Sequence, residues 1–499
     1  MAEIKLVDVS IRDGNQSLWG ATGLDTAQIL QIAPAMNRVG LHACDFTSST
    51  TMAVAIRYFR NNPWERIRRM RAAMPSVPLQ FITTGLRFVA WQQADPEFMR
   101  LAYRRLQMAG IRRFIVLDPM HDPDAVIDAA RIIKEEGDAD VMGALTFTLS
   151  DVHTDDFYAG FAGTLAASDH IDLFYLKDPS GLMSPERVRA LAPKVKAAIG
   201  GKPLEIHAHC TIGYGALTSL AAADLGFIEA VHVGIGPLGD GSSLPEATRM
   251  VANLREAGHD VPVNDAALET VRAYWTRLAR AKGLPSGRPQ GFDASFLRHQ
   301  IAGGVMTTTR RQLEELNLGH KFDAVIEETE RVRAELGHPI MVTPFPQMVM
   351  SQALFNVIGE TRYGQVSDQT LRYVMGKFGR PTSPVEREIE QIILDRPRAR
   401  EIAEEPSFPA YEELRRQFGD EMDDEEFLFR AVMPQEQVDA MLAAGRSRGA
   451  PSAQRSGCCL VSRFPSRGFC SIWTAPSSCP TARSGCTAYC RARWRFSRR

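Results

Sequence analysis

The sequence lacks the features that mark membrane, secreted and disulfide-stabilised proteins. No apolar run approaches the ~18 residues that a membrane-spanning helix needs. The first residues, MAEIKLVDVS, follow a strand-like pattern and contain no secretory leader. Of the eight cysteines only Cys44 and Cys210 precede residue 446, so a disulfide framework is not expected in most of the chain. These absences predict a globular protein of the cytoplasm.

Acidic residues are missing from the last part of the chain, which differs in composition from the rest. Residues 446–499 contain eleven arginines, six cysteines and no Asp or Glu, whereas the preceding residues carry 47 basic and 59 acidic side chains. That acidic balance argues against nucleic acid as a partner. Residues 446–499 have no helical or strand period and are predicted to be a disordered tail. A Cys-rich metal module and a basic arm are alternatives, and translation of a GC-rich gene in a shifted frame is the interpretation we favour.

Short β-branched apolar runs alternate with longer amphipathic stretches up to about residue 258. Strands are predicted at 4–9, 41–46, 78–83, 112–117, 140–147, 172–176, 204–209 and 230–235. Several of the helical stretches between them close on a glycine, as helix C-termini often do, and an eighth helix is expected at about 243–258. Eight strand–helix units of this size predict an α/β fold, a (β/α)8 TIM barrel. A doubly wound open sheet is the alternative.

Beyond the predicted barrel the pattern becomes mostly helical, in segments such as DAALETVRAYWTRLARAKG and KFDAVIEETERVRAELG. We divide the chain into a barrel over residues 1–290, a helical domain over 291–445 that packs on the barrel, and the tail over 446–499.

Polar clusters follow the first, sixth and seventh predicted strands, at the end of a barrel where reactive groups gather. His207 and His209 are two apart on one strand, so both side chains project to the same face. Asp13, in IRDGNQSL after the first strand, can complete a site of two histidines and one acid, which suits Zn, Mn or Co as a Lewis acid. Lys177, in LKDPSGL, follows an apolar strand, where a neutral amine is accessible. An ordinary lysine paired with Asp178 is the alternative.

The ordered set of motifs resembles that of the biotin-dependent carboxyltransferases: the carboxyltransferase domain of pyruvate carboxylase, the oxaloacetate decarboxylase alpha subunit and the transcarboxylase keto-acid subunit. IRDGNQSL is similar to their RDxxQSL, LKDPSGL to KDxxGLL, and HAHCTIG to HxHDTxG. PWERIRRMR, HQIAGGVMTTTRRQL, MVTPFPQMV and GETRYGQVSDQTLRYVMGKFGRPTSPV match further family stretches. The resemblance runs from about residue 4 to about residue 400.

The resemblance implies a role for each matching residue. The barrel acid and the two histidines would bind a divalent metal, with Lys177 as a carbamylated fourth ligand. Gln16 and Arg12 would contact a 2-oxo acid, and Thr343 would carry a proton between the substrate carbon and the biotin nitrogen. The implied reaction moves a carboxyl group between carboxybiotin and a pyruvate- or oxaloacetate-like 2-oxo acid through a metal-stabilised enolate. The same resemblance implies a homodimer or larger oligomer.

Several positions depart from the family pattern around the substrate. Thr84 replaces the arginine that holds the keto-acid carboxylate, with Arg87 three residues on, and TSSTTMA over 47–53 replaces WGGATFD. Losing a bidentate carboxylate partner is not conservative, so we expect a changed oxo-acid or acyl substrate, with Thr84 and Arg87 in its pocket. The chain contains no AMKM-type biotinyl-lysine motif. Biotin is therefore expected on a separate carrier protein, served by a biotin carboxylase or a membrane decarboxylase subunit; the alternative is that a biotin domain was lost where the tail begins.

Two other functions stay open on the sequence alone. HVGIGPLGDGSSLPE resembles a stretch of the aldolase-like enzymes that condense or cleave acyl-CoA: the isopropylmalate, citramalate and homocitrate synthases and hydroxymethylglutaryl-CoA lyase. Against this, Pro237 and Leu238 replace the Glu and Arg of that stretch, and the Gly-Gly loop at 303–304 and Thr343 have no counterpart there. The second alternative is a catalytically silent scaffold subunit, which the altered substrate positions favour and the retained ligand set disfavours.

Overall fold

The structure is a computed structural model, and it describes residues 2–90, 92–301, 305–306, 310, 313–315 and 317–446. The Gly-Gly loop predicted at 303–304 and the tail from residue 447 onward lie outside the described residues. Met1–Gly449 forms one unit by its internal contacts. The domain boundary predicted at residue 290 falls within this unit and stays a prediction.

Eight parallel strands close into a barrel in sequence order, and β1 pairs with β8 to complete it, with Val7 opposite His232. Every predicted strand is present, and closure excludes the open doubly wound sheet. The strands are β1 Lys5–Asp8, β2 Ala43–Ser48, β3 Leu79–Thr84, β4 Ile111–Leu117, β5 Asp140–Thr146, β6 Leu173–Asp178, β7 Leu204–Ala208 and β8 Ile228–Val233.

Helices follow the strands and surround the barrel, and local sequence explains where they begin. Asp95 and Asp122 each accept backbone N–H bonds at a helix N-terminus whose first residue is proline, a favoured starting pair. The predicted eighth helix is present as Ala247–Glu256. The helices of this part are Asn15–Trp19, Thr26–Met36, Ser49–Phe59, Pro63–Ala73, Pro96–Ala109, Pro123–Glu135, Asp155–Ala166, Pro185–Ile199, Gly215–Ala223, Ala247–Glu256 and Asp265–Lys282.

The remaining described chain is helical and packs in two different ways. Residues between 301 and 402 form a hydrophobic core of their own, to which the barrel loop residue Met120 contributes. The last three helices instead add Leu414, Phe427 and Val438, among others, to the main core of the barrel. The helices are Phe296–His299, Phe322–Glu335, Phe345–Ile358, Asp368–Val374, Arg387–Leu394, Pro397–Ala403, Tyr411–Phe418, Asp424–Arg430 and Gln435–Arg446. Within the described ranges, none of the helices combines the length and apolar character needed to cross a bilayer.

Phe427 tests how far the last helices stabilise the barrel. Its side chain is fully buried and contacts the rings of Phe98, Tyr411 and Phe418. We expect Phe427→Ala to lower the free energy of unfolding by about 3–5 kcal/mol, because truncation removes buried surface and leaves a cavity. Urea denaturation followed by circular dichroism measures this loss. Phe292→Ala, at a side chain that is 57% exposed, is the control, and equal midpoints for the two variants would contradict the prediction.

Candidate active site

The acid of the predicted metal site lies in the tight turn that follows β1. Ser10–Gly14 is a single π-helical turn that leads directly into the helix Asn15–Trp19. A Cβ atom on Gly14 would lie 2.6 Å from the carbonyl oxygen of Leu238, so only glycine fits this close approach. The turn thereby fixes Asp13, whose Oδ1 accepts a hydrogen bond of 2.8 Å from the Ser17 hydroxyl.

Asp13 and the two histidines that follow on β7 and its end converge on one point inside the mouth of the barrel. Asp13 Oδ2 lies 3.4 Å from His207 Nε2, and Asp13 Oδ1 lies 3.6 Å from His209 Nε2. The two Nε2 atoms are 3.2 Å apart. All three side chains are buried, and among the described residues they form the one group of three or more Asp, Glu, His or Cys side chains whose ligand atoms all lie within 4.8 Å.

The charges of this group suit a divalent cation. Burial raises the pKa of Asp13, but the Arg12 guanidinium, whose Nη1 is 2.9 Å from Asp13 Oδ2, and the histidines outweigh it and hold that pKa well below its usual range. Burial lowers the pKa of His207 well below its ordinary value, so its imidazole is neutral. An anionic carboxylate beside a neutral imidazole is the protonation state that metal binding requires. The donor set therefore fits the implied metal.

Lys177 reaches the same interior from the neighbouring strand. It is paired in register with His207 across β6 and β7, and its Nζ atom lies 5.9 Å from the centre of the Tyr175 ring. Burial and the nearby Arg12 lower its pKa to about 8. Asp178 points to the other face of the strand and accepts backbone N–H bonds from Gly181 and Met183. The alternative of a Lys177–Asp178 pair is therefore wrong.

The predicted substrate residues lie at the C-terminal ends of β1 and β3. Gln16 is half-buried in the helix that follows Asp13. Thr84 is half-buried at the last position of β3. Arg87 is buried, donates to the carbonyls of Thr84 (3.3 Å) and Phe378 (3.0 Å), and approaches Asp118 at 3.9 Å. Arg87 therefore connects the β3 loop to the helical part of the chain.

Thr343 comes to the barrel from the helical part of the chain. It is half-buried, and the preceding residue, Val342, packs against an apolar cluster made by inward-facing strand residues. That cluster includes Leu117 and Tyr175. The centres of the Tyr175 and His207 rings are 5.5 Å apart. The loop that carries Thr343 thus shares a packing cluster with a neighbour of the candidate metal site.

Sequence reasoning missed several polar residues that surround the ligands. Asp45 on β2 hydrogen-bonds to Arg12, and His232 on β8 lies between His207 and Glu205. Each is a polar residue inside an apolar strand segment, and that is the signal that could have found them, because a buried charge needs a partner.

Comparison with known proteins gives this arrangement a family. Residues 296–454 match the family model described as a conserved carboxylase domain. A pyruvate carboxylase subunit from Methanocaldococcus jannaschii is 32% identical over 393 residues, which are 79% of this chain and 68% of that protein. The chain belongs to the carboxyltransferase components of biotin-dependent carboxylases.

Two further comparisons concern the sequence and the fold respectively. The 2-oxoglutarate carboxylase large subunit of Hydrogenobacter thermophilus is 30% identical over 453 residues, covering 88% of this chain and 68% of that protein. The carboxyl transferase domain of Rhizobium etli pyruvate carboxylase has the same fold, with a TM-score of 0.79 at 23% identity over 89% of this chain and 77% of that one.

The family membership favours a biotin-dependent carboxyltransferase over the aldolase-like enzymes and over a silent scaffold. It also implies that the activity depends on a metal, in agreement with the donor set formed by Asp13, His207 and His209.

Removing His209 tests the metal centre of the carboxyltransferase directly. We expect His209→Ala to weaken divalent metal binding by more than about tenfold, because losing a ligand costs at least as much as losing a residue that merely supports one. Elemental analysis after dialysis measures the bound metal per chain. The control is His320→Ala, at an exposed histidine of the helical part. Wild-type metal content in the His209 variant would contradict the site.

Proposed function

We propose that this carboxyltransferase moves a carboxyl group between carboxybiotin, brought by a separate carrier protein, and a small 2-oxo acid. The observation that carries the proposal is the convergence of Asp13, His207 and His209 beside the guanidinium of Arg12. A cluster with that charge suits a substrate that becomes an oxyanion during the reaction. The names of both relatives, pyruvate carboxylase and 2-oxoglutarate carboxylase, specify 2-oxo acid substrates.

The proposed metal ligands are Asp13, His207, His209 and a carbamylated Lys177, and the ion is Zn, Mn or Co. When bound, the ion would act as a Lewis acid on the substrate oxygen. Arg12 holds Asp13 in its anionic form and is itself held by Asp45, so the carboxylate stays fixed without the ion. Burial of all these side chains excludes water and strengthens their electrostatic interactions.

Gln16 and Arg12 are proposed to orient the 2-oxo acid, since both lie on the segment that carries Asp13. Thr84 and Arg87 are proposed to line the pocket for the rest of the substrate. Arg87 is fixed beside Thr84 by its hydrogen bond to the Thr84 carbonyl. This placement supports the proposal that Arg87 binds the substrate carboxylate in place of the family arginine that Thr84 replaces. Its second anchor, the carbonyl of Phe378, lies in the helical part. The size of the acceptor therefore depends on both parts of the chain.

Thr343 is proposed to move the proton of the reaction, because a hydroxyl both donates and accepts a hydrogen bond. Cleavage of the N–CO2 bond of carboxybiotin releases CO2 and leaves the electron pair on the biotin nitrogen. Thr343 Oγ passes a proton from the substrate carbon next to the carbonyl to that nitrogen. The carbon then forms its new bond with CO2, and biotin and a carboxylated 2-oxo acid result.

The proposed partners are a biotin carboxyl carrier protein and a biotin carboxylase, or a membrane decarboxylase subunit in their place. The relative from Methanocaldococcus jannaschii is named as one subunit of a carboxylase, which supports such an assembly. We also propose a homodimer or larger oligomer. The cytoplasm is the proposed compartment, since Cys44 and Cys210 are buried free thiols.

Exchange with free biotin tests the function. Supplied with metal, biotin and a panel of pyruvate, oxaloacetate and 2-oxoglutarate, the full-length chain should catalyse biotin-dependent carboxyl transfer or decarboxylation with at least one acid. Thr343→Ala should lower the rate by about 10²–10⁴-fold, the usual contribution of a positioned proton-transfer group. Thr343→Ser, which keeps the hydroxyl, should retain most of the activity.

Metal content separates loss of chemistry from loss of structure in this assay. Thr343→Ala should bind metal as the wild type does, because Thr343 is not in the ligand group. Full activity of Thr343→Ala would remove the proton shuttle from the proposal. No turnover across the panel by metal-loaded wild type would point to an acyl acceptor, and a dependence on acetyl-CoA without biotin would favour the aldolase-like condensing enzymes.

Carbamylation of Lys177 is separately testable. A neutral amine adds CO2 to form a carbamate and releases a proton, and burial next to Arg12 favours the neutral amine. In ¹³C-bicarbonate we expect a carbamate signal in the NMR spectrum of the wild type that is lost in Lys177→Arg. Lys194→Arg, at a side chain that is 50% exposed, should keep the signal. Its persistence in Lys177→Arg would exclude Lys177 as the carbamylated ligand.

A further inference from the structure

A chain of buried side chains continues from the metal ligands toward the other end of the barrel. His207 Nδ1 lies 3.0 Å from His232 Nδ1, and His232 Nε2 lies 2.8 Å from Glu205 Oε2. Glu205 Oε1 accepts a bond of 2.7 Å from Arg113 Nη2. These four side chains are almost completely buried. Their geometry constrains which ring nitrogen of each histidine carries a proton.

The direction of the hydrogen bonds follows from the acid at the end of the chain. Glu205, paired with the Arg113 guanidinium and lying 3.5 Å from His42 Nε2, accepts bonds and donates none. A neutral His232 therefore donates from Nε2 to Glu205, which leaves a lone pair on its Nδ1. His207 then donates from Nδ1 to His232.

The nitrogen of His207 that remains without a proton in this tautomer is Nε2. That atom is the one 3.4 Å from Asp13 Oδ2 and 3.2 Å from His209 Nε2. If His232 Nδ1 donated to His207 Nδ1 instead, His207 would carry its own proton on Nε2. A metal could then not bind at that nitrogen.

We infer that Glu205 and His232 are positioning residues that hold His207 in its metal-binding tautomer and fix the orientation of its ring. The inference rests on the metal site of the proposed function. Metal-bound histidines usually donate their second N–H to an acceptor, and such acceptors raise the basicity of the ligand. Here the acceptor is another histidine, which in turn donates to a buried carboxylate.

Tyr175 restricts the rotation of both rings. Its ring stacks on His232 at 5.5 Å with 21° between the planes, and it meets His207 edge-on at 5.5 Å and 88°. The strands add a further constraint, because Glu205 and His207 are two apart on β7 and project to the same face. Neither imidazole ring can therefore turn over and swap the positions of its Nδ1 and Nε2 atoms without breaking this packing.

Metal affinity and ligand geometry test the inference in the full-length chain. Co²⁺ is titrated against a chelator, and the visible absorption of the bound ion reports its ligand geometry. We expect Glu205→Gln and His232→Leu to weaken binding by about 10–100-fold, the range for residues that support a ligand, and to alter the absorption spectrum. His232→Asn should restore much of the affinity, because its amide oxygen can accept from His207 Nδ1.

Two controls distinguish positioning from general structural damage. Glu425→Gln changes another buried glutamate that pairs with arginines, Arg68 and Arg105, away from the site, and it should leave Co²⁺ binding unchanged. The melting temperature of each variant with excess chelator reports folding without the ion. Variants of Glu205 and His232 that are folded and bind Co²⁺ with wild-type affinity and spectrum would overturn the inference. A wild type with no more Co²⁺ than His209→Ala would instead overturn the proposed metal site, and the inference with it.

Discussion

The barrel interior must hold a carboxylate, two imidazoles and a guanidinium away from water. Much of the surrounding structure depends on how these buried groups are compensated. An isolated charge buried in protein costs several kcal/mol, so Asp13 cannot stand alone at the mouth of a closed barrel. Arg12 compensates it, and Asp45 compensates Arg12 in turn. The result is a group that is both anionic at the ligand oxygen and fixed in position.

This balance of charges explains why the interior of the barrel has an apolar part and a polar part. Along β4, β5 and β6, inward residues such as Ile115, Met142 and Leu173 form an apolar cluster. The polar chain begins with Arg113 near the start of β4 and continues through Glu205 on β7 and His232 on β8 to the candidate ligands. The apolar side lowers the local dielectric constant, and the hydrogen bonds of the polar side become stronger for that reason.

The convergence of the candidate ligands is predictable from sequence, because their placement needs only the period of a strand and the closure of a barrel. Asp13 follows the first strand, and His207 on the seventh strand and His209 just past its end face the same way, so the (β/α)8 fold alone brings them to one end. The eight strands are equally predictable, since each is a short apolar run followed by a helical stretch.

The partners of the ligands are not predictable in the same way. His232 and Glu205 each look like an isolated polar residue within an apolar strand, and their pairing depends on the stagger between strands, which composition does not encode. Arg87 is a harder case, because its partner Phe378 lies 291 positions away in a helical part that must first pack on the barrel. A contact between residues so far apart in sequence forms only when the helical part packs on the barrel, and that packing depends on the whole hydrophobic core.

The predicted ligands and the predicted substrate residues are supported by different parts of the structure, and this agrees with where the chain departs from the family pattern. His207 lies on a strand that is paired with β6 on one side and β8 on the other, so the barrel itself fixes its position. Thr84 lies at a strand end and Arg87 in the loop beyond it, and Thr343 arrives on a loop between helices that packs through Val342. Loops can change without loss of the scaffold that carries them. If Thr84, Arg87 and Thr343 line the acceptor pocket as proposed, the departures from the family pattern fall at positions where a change costs the barrel least stability.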